Sequence, residues 1–523
     1  MSRRLFIIGI AVLAVVRLAA AVPLSRPHIR FLQSDGPSYL FLAESLATGR
    51  GDTDIFLAEP APHTRLAPGL PLLLAPFCSG EPNLRVIKFV LNLFALASGL
   101  VFLAALRRLE FSRGVTLLAV ALFLLAPLGL GQSDDLLPQP PEGLAFAGVL
   151  LLLTGKSRAL EGAPTVGRAA AAGLLLAACI MLRMADLAFW PGAIIFILLD
   201  PAAMKKKLAA AAALSVAPAA ALAAWLGRNL SLGNKMGTDY LGVWLGRDPS
   251  LEAVAPMGAG TLIARVGQNF LLYVEHAGQL ILPDQNPALP TAALTALGTV
   301  ALALVVLGTR KTEGQAGRAL ACFGLPLLAE CLLWPFPFIH YFYPLYPLLW
   351  AAMAAGTVAL ARMAAGRMGL KAPRWRVVIA AAAAAACLCV SLLPWLNYHP
   401  KTAKLRDGLW LRFDAPGAEA VYGLARAAAD DCRGSCRLLT HSPMHVALVT
   451  GPVVYGLPLL PPNEMLKFIA EHRITHLLVD PIFPRTGAYL VPLIESRPER
   501  FEKIDRIMPP PYGAYRVRSA FGR

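Results

Sequence analysis

Charged residues are scarce in this chain. Only 15% of its 523 residues are charged, whereas 57% are hydrophobic, and the mean hydropathy is +0.58. A water-soluble protein of this size needs a far more charged surface, so the composition excludes that class and indicates a protein of the lipid bilayer. The sequence also has no convincing internal repeat, which disfavours the paired halves on which many transporters are built.

Long apolar runs make up most of the chain up to residue 396. A helix needs roughly 20 apolar residues to cross about 30 Å of hydrocarbon, and the runs predict about eleven such spans, several of them short. Another run, Leu262–Leu282, is interrupted by polar residues such as Arg265 and Glu275, which favours an interfacial or cavity-lining helix. The predicted spans are Leu5–Val22, Leu84–Leu106, Val115–Leu130, Leu144–Leu153, Ala169–Leu182, Leu187–Leu199, Leu208–Leu226, Ala292–Leu307, Ala319–Trp334, Tyr341–Ala361 and Val377–Trp395.

Basic residues outnumber acidic ones, 48 to 32, giving a formal net charge of +16. The cations gather at alternate ends of the predicted spans, so they indicate membrane orientation and not a nucleic-acid partner. This pattern predicts a multi-pass protein of the inner (plasma) membrane with a cytoplasmic N-terminus, and the odd number of spans predicts an extracytoplasmic tail. The cations concerned are Arg3, Arg4, Arg107, Arg108, Arg113, Lys156, Arg158, Arg168, Lys205 to Lys207, Arg310, Lys311, Arg318, Arg362, Arg367, Lys371, Arg374 and Arg376.

The composition changes abruptly near residue 397. We therefore predict a membrane domain, 1–396, with outer loops at 23–83 and 228–290, followed by a soluble domain, 397–523. In this second domain, strand-like runs at Cys436–Thr440 and His476–Val479 flank an amphipathic helical segment, Glu464–His472. Strands that alternate with helices predict a small α/β domain.

Two of the eight cysteines are suggestive. Cys432 and Cys436 lie close together in the predicted outer domain, where an oxidising compartment would join them in a disulfide. Two free thiols on a helix or turn are an equally good interpretation. A zinc site is disfavoured because no second Cys or His pair stands nearby at ligand spacing.

Acidic residues mark the outer ends of the spans. Asp35 precedes a helix-like run, Ser38–Ala47, and a partly desolvated carboxylate there would suit a general base; capping that helix is the alternative role. The pair Asp52 and Asp54 is spaced to share a divalent cation, although a solvated turn explains it more simply. Glu142, at the start of the fourth span, is a third candidate, with a helix N-terminal role as its alternative.

Several of these segments together resemble the GT-C superfamily of polytopic glycosyltransferases, especially the branch of the protein O-mannosyltransferases and the lipid A aminoarabinose transferase. The resemblance runs over nearly the whole chain, and each motif alone is weak. The segments are Asp35-Gly-Pro-Ser-Tyr-Leu with Ala43-Glu-Ser-Leu-Ala-Thr-Gly49, Arg65-Leu-Ala-Pro-Gly-Leu-Pro-Leu-Leu-Leu-Ala-Pro76, Pro141-Glu-Gly-Leu144, Arg228-Asn229, His340-Tyr-Phe-Tyr-Pro-Leu-Tyr-Pro347, Pro498-Glu-Arg-Phe501 and Tyr515-Arg-Val-Arg518.

The resemblance implies a GT-C fold and transfer of a sugar from a polyprenyl-phosphate carrier to a lipid, protein or glycan acceptor, with inversion at the sugar. Asp35 matches the acidic position that acts as the base. Arg65 is the first choice for the cation that binds phosphate and Arg228, with Asn229, the second. Glu142 would orient groups around the acceptor.

The sequence departs from that family at two positions. Gly36 follows Asp35 where many relatives carry a second acid, which argues against a metal at that point. An enzyme that requires no cofactor is favoured, because Asp52 and Asp54 have no further ligands nearby in the sequence. A divalent cation held by Asp52 and Asp54 is the alternative. His340, before Tyr341, stands where relatives often have arginine. The pair is a candidate for substrate binding, although packing at a helix end is the more economical role for His340.

Two other classes of function compete with glycosyl transfer. A lipid or sugar transporter or flippase would also be polytopic and would handle lipid phosphates, but its ionisable residues should lie inside the spans. An inactive scaffold would tolerate replacement of Asp35 and Arg65.

Overall fold

A computed structural model describes most of the chain. The predicted span Val377–Trp395 lies outside the described residues, as does much of the second outer loop. The described residues are 1–31, 35–80, 82–155, 164–233, 258–281, 290–310, 315–367, 401–406, 409–413, 417–432 and 436–518.

Among the described residues up to 367, the regular elements are helices and one short strand, β1, His28–Arg30. The helices are α1 Arg3–Leu24, α2 Gly36–Ala47, α3 Gly69–Leu74, α4 Leu84–Arg108, α5 Arg113–Leu125, α6 Pro127–Asp134, α7 Gln139–Leu153, α8 Val166–Leu182, α9 Phe189–Leu198, α10 Met204–Ser231, α11 Ala259–Gly278, α12 Thr291–Arg310, α13 Gln315–Leu333 and α14 Tyr346–Arg367. Tight 3-10 turns lie at Ala75–Phe77, Met184–Ala188 and Ile339–Leu345.

Six of the described helical segments are long and apolar enough to cross a bilayer, and a seventh is if a bent pair counts as one span. That pair, α5 and α6, bends by 43°. Pro127 begins α6 and cannot donate a hydrogen bond to the preceding turn, so the predicted single span Val115–Leu130 is broken there. Helices α7, α8 and α9 are shorter apolar segments. The polytopic fold is confirmed, whereas the number of spans remains a prediction.

Basic side chains close one end of the helix bundle. Arg108 and Arg168, from α4 and α8, both donate to the carbonyl of Thr154, at 3.3 and 2.9 Å. Lys207 donates to the carbonyl of Leu198 at 2.8 Å. These contacts satisfy carbonyl groups that helix ends leave without partners, and they gather several of the predicted cytoplasmic cations at one end.

The tail folds as an α/β domain, as predicted. Its five-stranded sheet has the order β5-β4-β6-β8-β7, in which β4, β5 and β6 are parallel and β8 is antiparallel to both neighbours. The predicted strand His476–Val479 is β6. The elements are β2 Lys401–Arg406, β3 Leu409–Phe413, α15 Ala418–Asp431, β4 Leu438–Thr440, α16 Pro443–Thr450, β5 Val454–Gly456, α17 Pro462–Glu471, β6 His476–Val479, a π turn Thr486–Leu490, α18 Val491–Ser496, a 3-10 turn Pro498–Arg500, β7 Phe501–Lys503 and β8 Gly513–Val517.

Cys432 and Cys436 form a disulfide, which decides between the two interpretations of the sequence. The bridge adjoins a charged group at the end of α15. His476 contacts Asp431 at 2.9 Å, and Arg516 donates two hydrogen bonds to the same carboxylate. These bonds from Arg516 and His476 lower the pKa of Asp431 to about 2.

The first outer loop and the tail share a second sheet. Its order is β1-β3-β2, and β1 lies parallel to β3 with His28 opposite Trp410 and Arg30 opposite Arg412. The boundary predicted at residue 396 therefore separates two segments that are hydrogen-bonded to each other.

A buried ionic cluster lies beneath this sheet. Asp134, at the end of α6, contacts Lys88 of α4 at 3.6 Å, His28 of β1 at 3.6 Å and Arg412 of β3. Burial lowers the pKa of His28, which favours the neutral ring that accepts a hydrogen bond from Arg412 at 3.0 Å. One carboxylate thus connects the membrane helices, the first loop and the tail.

Replacing Asp134 with asparagine should strongly destabilise the protein. Lys88 and Arg412 are 0% and 5% exposed, so the variant would remove the negative charge that both of these buried cations contact. Removing one partner of such a pair costs about 3–5 kcal/mol. Thermal unfolding in detergent should show a large drop in melting temperature for Asp134→Asn.

Glu419→Gln is the matched control. Glu419 pairs with Lys401 at 2.8 Å, but both side chains are exposed, so water already screens this pair. Equal melting temperatures for the two variants would contradict a structural role for the buried cluster.

Candidate functional site

Asp35 lies at the start of α2, but its carboxylate does not cap the helix. Its Oδ1 atom lies 3.6 Å from Nη2 of Arg65, and the two side chains are 51% and 61% exposed. The structure thus brings together the predicted base and the predicted phosphate-binding cation at the surface. A carboxylate in this position remains accessible to an acceptor hydroxyl.

The end of α10 holds the segment that leads to Arg65. Arg228 donates to the carbonyls of His63 and Asp52 at 2.7 and 3.1 Å, and the amide of Asn229 donates to the carbonyl of Thr64 at 3.3 Å. These bonds give Arg228 and Asn229 a positioning role. Their predicted role in binding substrate remains a prediction.

The two carboxylates predicted as metal ligands each face a basic side chain. The side chain of Asp52 is 9% exposed, and its carboxylate lies 3.4 Å from Arg228. Asp54 lies 2.7 Å from Nδ1 of His63, whose Nε2 accepts a hydrogen bond from the amide of Leu66, also at 2.7 Å. Since Nε2 accepts, the proton that bonds Asp54 is on Nδ1. The pair of Asp54 and His63 therefore stabilises the loop, whereas the carboxylate of Asp52 accepts no hydrogen bond.

Another group has the spacing to ligate a metal. Within the described ranges, Cys432, Cys436 and His476 form the one group of three or more His, Cys, Asp or Glu residues whose ligand atoms lie within 4.8 Å of one another. Its two sulfur atoms are joined in the disulfide, so they are not thiolate ligands in this structure. A divalent cation at Asp52 and Asp54 remains a prediction.

A second part of the site is buried between helix ends. Glu142, fully buried in the first turn of α7, has Oε2 4.0 Å from Nη1 of Arg183. The guanidinium of Arg183 lies 4.1 Å from the ring centre of Tyr341 and donates to the carbonyl of His340 at 3.3 Å. The carboxyl group of Asp186 adjoins that of Glu142.

Arg183 was not predicted as a site residue. The residue ends α8 at the end opposite Arg168, so it is a cation on the side where the positive-inside pattern predicts few. This exception to the charge pattern is the sequence feature that could have identified Arg183. Such an ionisable residue next to a membrane span is a candidate for function.

His340 packs among aromatic rings. Its ring lies nearly parallel to that of Phe338, with centres 5.2 Å apart, and 5.0 Å from the ring of Tyr341. This geometry favours the packing role over direct phosphate binding. Tyr341 instead faces the site through its contact with Arg183.

The loop and the buried group adjoin each other. Tyr341 is within electrostatic range of Asp35, and Arg183 is within range of Tyr39 on α2. The backbone of α3 also packs tightly on the end of α8, since a Cβ on Gly69 would lie 2.4 Å from the carbonyl oxygen of Met181. Acids and cations from four helical segments therefore lie around one region of the structure.

Comparison with known proteins identifies the fold. No protein-family model and no curated protein matches this sequence. Among solved structures, the oligosaccharyltransferase AglB of Archaeoglobus fulgidus, in complex with an inhibitory peptide and a dolichol-phosphate, matches with a TM-score of 0.52 and 13% identity over 90% of this chain and 69% of AglB.

Two further structures were matched. An Archaeoglobus fulgidus oligosaccharyltransferase tethered to an acceptor peptide gives a TM-score of 0.51 at 12% identity, over 90% of this chain and 68% of its own. ArnT from Cupriavidus metallidurans, bound to undecaprenyl phosphate, gives 0.48 at 11% identity, over 99% of both chains. The archaeal structures show that this chain has the fold of the GT-C glycosyltransferases, which confirms the fold implied by the motifs.

Replacing Asp52 with asparagine should preserve or raise stability at pH 7. Burial raises the pKa of Asp52 despite Arg228, and neither carboxylate oxygen accepts a hydrogen bond. The folded protein therefore binds this proton more tightly than the unfolded chain, and the stability owed to Asp52 falls as pH rises through the folded pKa. If the Asp52→Asn variant has a higher melting temperature than the wild type at pH 7, this difference should shrink as pH approaches 4.

Asp54→Asn provides the comparison for that measurement. The carboxylate of Asp54 pairs with His63 at 2.7 Å, so replacing it with a neutral amide should lower the melting temperature at pH 7. A strongly destabilised Asp52→Asn variant at pH 7 would show instead that the contact between Asp52 and Arg228 outweighs the cost of burial.

Proposed function

We propose that this protein is an integral-membrane glycosyltransferase that transfers a sugar from a polyprenyl-phosphate carrier to an acceptor, with inversion. The observation that carries the proposal is the exposed pair of Asp35 and Arg65 beside the membrane helices of a GT-C fold. The structure of AglB with a dolichol-phosphate supports a lipid-phosphate donor for this chain by analogy.

The pair provides the two functions that such a transfer needs. Asp35 accepts the proton of the acceptor hydroxyl while that oxygen forms its bond to the anomeric carbon of the sugar. The bond from this carbon to the phosphate oxygen breaks, and the lipid phosphate leaves as an anion. Arg65 stabilises the developing charge with its guanidinium. A strong general acid is unnecessary, because the leaving phosphate is a stable anion.

The buried group positions the reactants. Glu142 and the ring of Tyr341 hold Arg183 from two sides, so its guanidinium is fixed in orientation. A fixed cation at the floor of the site would orient the hydroxyl groups of sugar or acceptor at little entropic cost. The acceptor is a hydroxyl-bearing lipid, protein or glycan.

We further propose that the reaction takes place on the extracytoplasmic face of the inner membrane. The disulfide between Cys432 and Cys436 suits an oxidising compartment, and the tail that carries it packs against the loop of Asp35. The basic residues at the opposite end of the bundle favour a cytoplasmic location for that end.

Transport of a lipid phosphate is the second candidate. The buried ionisable residues Glu142, Arg183 and Asp186 favour it, because such residues often line the pathways of transporters. They lie at helix ends near Asp35 and Tyr39, however, which suits a site open to one face. Transfer of labelled sugar by detergent-solubilised protein separates the two functions, since transport needs a closed membrane.

Replacing Asp35 with asparagine should abolish sugar transfer and leave donor binding largely intact. The amide keeps the size of the side chain but cannot accept the proton, and loss of a general base typically lowers the rate about 10²–10⁴-fold. Consumption of a labelled polyprenyl-phosphate sugar by purified protein is the measurement. Glu44→Gln, on the same helix but more than two turns away, is the matched control. Full turnover by Asp35→Asn would remove Asp35 as the base.

A chelator should leave turnover unchanged in the wild-type enzyme. This expectation follows from the single acid at the Asp35 position and from the contacts of Asp52 and Asp54 with Arg228 and His63. The same assay, with the metal removed and then Mg²⁺ or Mn²⁺ restored, tests it. Loss on removal and recovery on addition would show a metal-dependent enzyme, and Asp54→Asn would then be the first variant to examine.

A further inference from the structure

One histidine of the tail lies against its disulfide. Cys432 caps the C-terminal end of α15, Cys436 lies two residues before β4, and His476 is the first residue of β6. The strands β4 and β6 are neighbours, with Leu438 opposite His476. The ring nitrogen Nδ1 of His476 lies 3.1 Å from Sγ of Cys432. The two sulfur atoms and a ring nitrogen of His476 lie within 4.8 Å of one another.

The carboxylate of Asp431 fixes the ring proton of this histidine. Arg516 donates two hydrogen bonds to that carboxylate, which favours its ionised form, and Nε2 of His476 lies 2.9 Å from it. An ionised carboxylate only accepts, so Nε2 carries a proton. In the neutral ring, Nδ1 therefore presents its lone pair to the sulfur of Cys432. A disulfide sulfur has no proton to donate to that lone pair.

Thr475 provides the other polar contact of Nδ1. Its hydroxyl lies 2.9 Å from this nitrogen, and it donates to the carbonyl of Arg437 at 3.2 Å. The hydroxyl has a single proton for these two acceptors. A metal bound at Nδ1 would therefore leave Thr475 its bond to Arg437, so metal binding at this nitrogen breaks no bond that the sheet needs.

The surroundings of His476 are those of a metal ligand. A histidine that binds a metal through one nitrogen almost always donates its other N–H to a carboxylate, a carbonyl or water. Asp431 occupies that position, and Arg516, opposite His476 on β8, holds the carboxylate in turn. The bond to Asp431 explains one side of the imidazole ring but does not explain the pair of cysteines beside it.

We propose that Cys432, Cys436 and His476 form a zinc site when the disulfide is reduced. Two thiolates and an imidazole suit Zn²⁺, and three protein ligands leave one position of the tetrahedral ion to water. Either the disulfide or the metal would hold the end of α15 beside the start of β4. The tail would thus keep this connection in both oxidising and reducing surroundings. Sugar transfer by Asp35 is not required for this site.

The two states interconvert by a balanced exchange. A dithiol reductant gives two electrons and two protons to the disulfide, so the S–S bond of the protein breaks, two thiols form, and the reductant becomes a disulfide. Zn²⁺ then displaces the two thiol protons to water as two zinc–sulfur bonds form. The lone pair of Nδ1 provides the third bond. Transfer of the two electrons to another disulfide reverses the exchange and releases the metal.

Metal binding by the full-length protein in detergent tests the proposal. The protein is reduced with a dithiol, freed of the reductant under exclusion of oxygen, and titrated with Zn²⁺ or with Co²⁺, whose absorption reports thiolate ligands. Reduced wild type should bind one ion with cobalt–thiolate absorption, and its melting temperature should rise with zinc concentration because the ion binds the folded state. Oxidised wild type should show neither change.

Two substitutions each remove one ligand. In His476→Gln, the side-chain amide replaces Nε2 and keeps the contact with Asp431, but no atom replaces Nδ1. Cys436→Ser removes a thiolate and leaves the contacts of Asp431 intact. Loss of an outer partner of a metal ligand costs about 10–100-fold in affinity, so loss of a ligand should weaken zinc binding by at least as much. The cobalt absorption should change in both variants.

His472→Gln is the matched control. This histidine belongs to the same domain and pairs with Glu59 at 3.3 Å, away from the disulfide, so its loss should leave zinc affinity and cobalt absorption unchanged. Variants are compared with reduced, metal-free wild type of equal melting temperature. Cys436→Ser keeps the proposal testable if His476→Gln unfolds, since the two residues lie on different segments.

Three results would overturn the zinc site. They are reduced wild type that binds no zinc, oxidised wild type that binds zinc as tightly as the reduced form, and folded variants with wild-type affinity and cobalt absorption. A loss confined to His476→Gln and Cys436→Ser, with His472→Gln unaffected, would establish both kinds of ligand. None of these measurements depends on sugar transfer, so the zinc site and the proposed glycosyltransferase stand or fall separately.

Discussion

The ion pairs of Asp134 fix the arrangement on which the rest of the structure depends. Its carboxylate contacts Lys88 in a membrane helix, His28 in the first loop and Arg412 in the tail, all of them buried. Burying a charge without a partner is costly, so the native arrangement is the one in which these groups meet. Apolar contacts alone would tolerate small rotations of the tail, whereas this cluster requires each element to approach in one register.

The chemistry of the candidate site follows from that register. Asp35 begins α2 only a few residues after β1, and β1 is hydrogen-bonded to the tail. Arg65 is positioned separately, through the bonds of Arg228 and Asn229 to its loop. Asp35 therefore depends on contacts with the tail, and Arg65 depends on contacts with the end of α10. A substitution that shifts either set of contacts would change the distance between Asp35 and Arg65 without changing either residue.

Much of the fold was readable from the sequence because it depends on local patterns. Apolar runs predicted the helices, and short β-branched or apolar runs predicted strands such as His476–Val479. Asp35 and Arg65 were recognisable because the motifs that contain them are contiguous. The bend at Pro127 was not predicted, because the apolar run continues on both sides of the proline. The proline interrupts the helix, but the hydropathy of the run does not change there.

The features of the fold and of the site that were not predicted depend on contacts between segments far apart in the sequence. The pairing of β1 with β3 could not be foreseen, because a three-residue strand carries no periodic signal of its own. Arg183 gains its meaning only from Glu142 and Tyr341, which other helices bring to it. The metal interpretation of Asp52 and Asp54 likewise could not be weighed until Arg228 and His63 were seen beside them.

The pairing of β1 with β3 also has a consequence for biosynthesis. His28 leaves the ribosome early, but its partner strand begins at Leu409, so the loop before Asp35 stays incomplete until most of the chain has been synthesised and inserted. Such long sequence separation makes this contact a late step. The helices of a nascent chain would thus be inserted in the membrane before the surface around Asp35 folded. A truncated chain that lacks β3 would be inserted but could not form that surface.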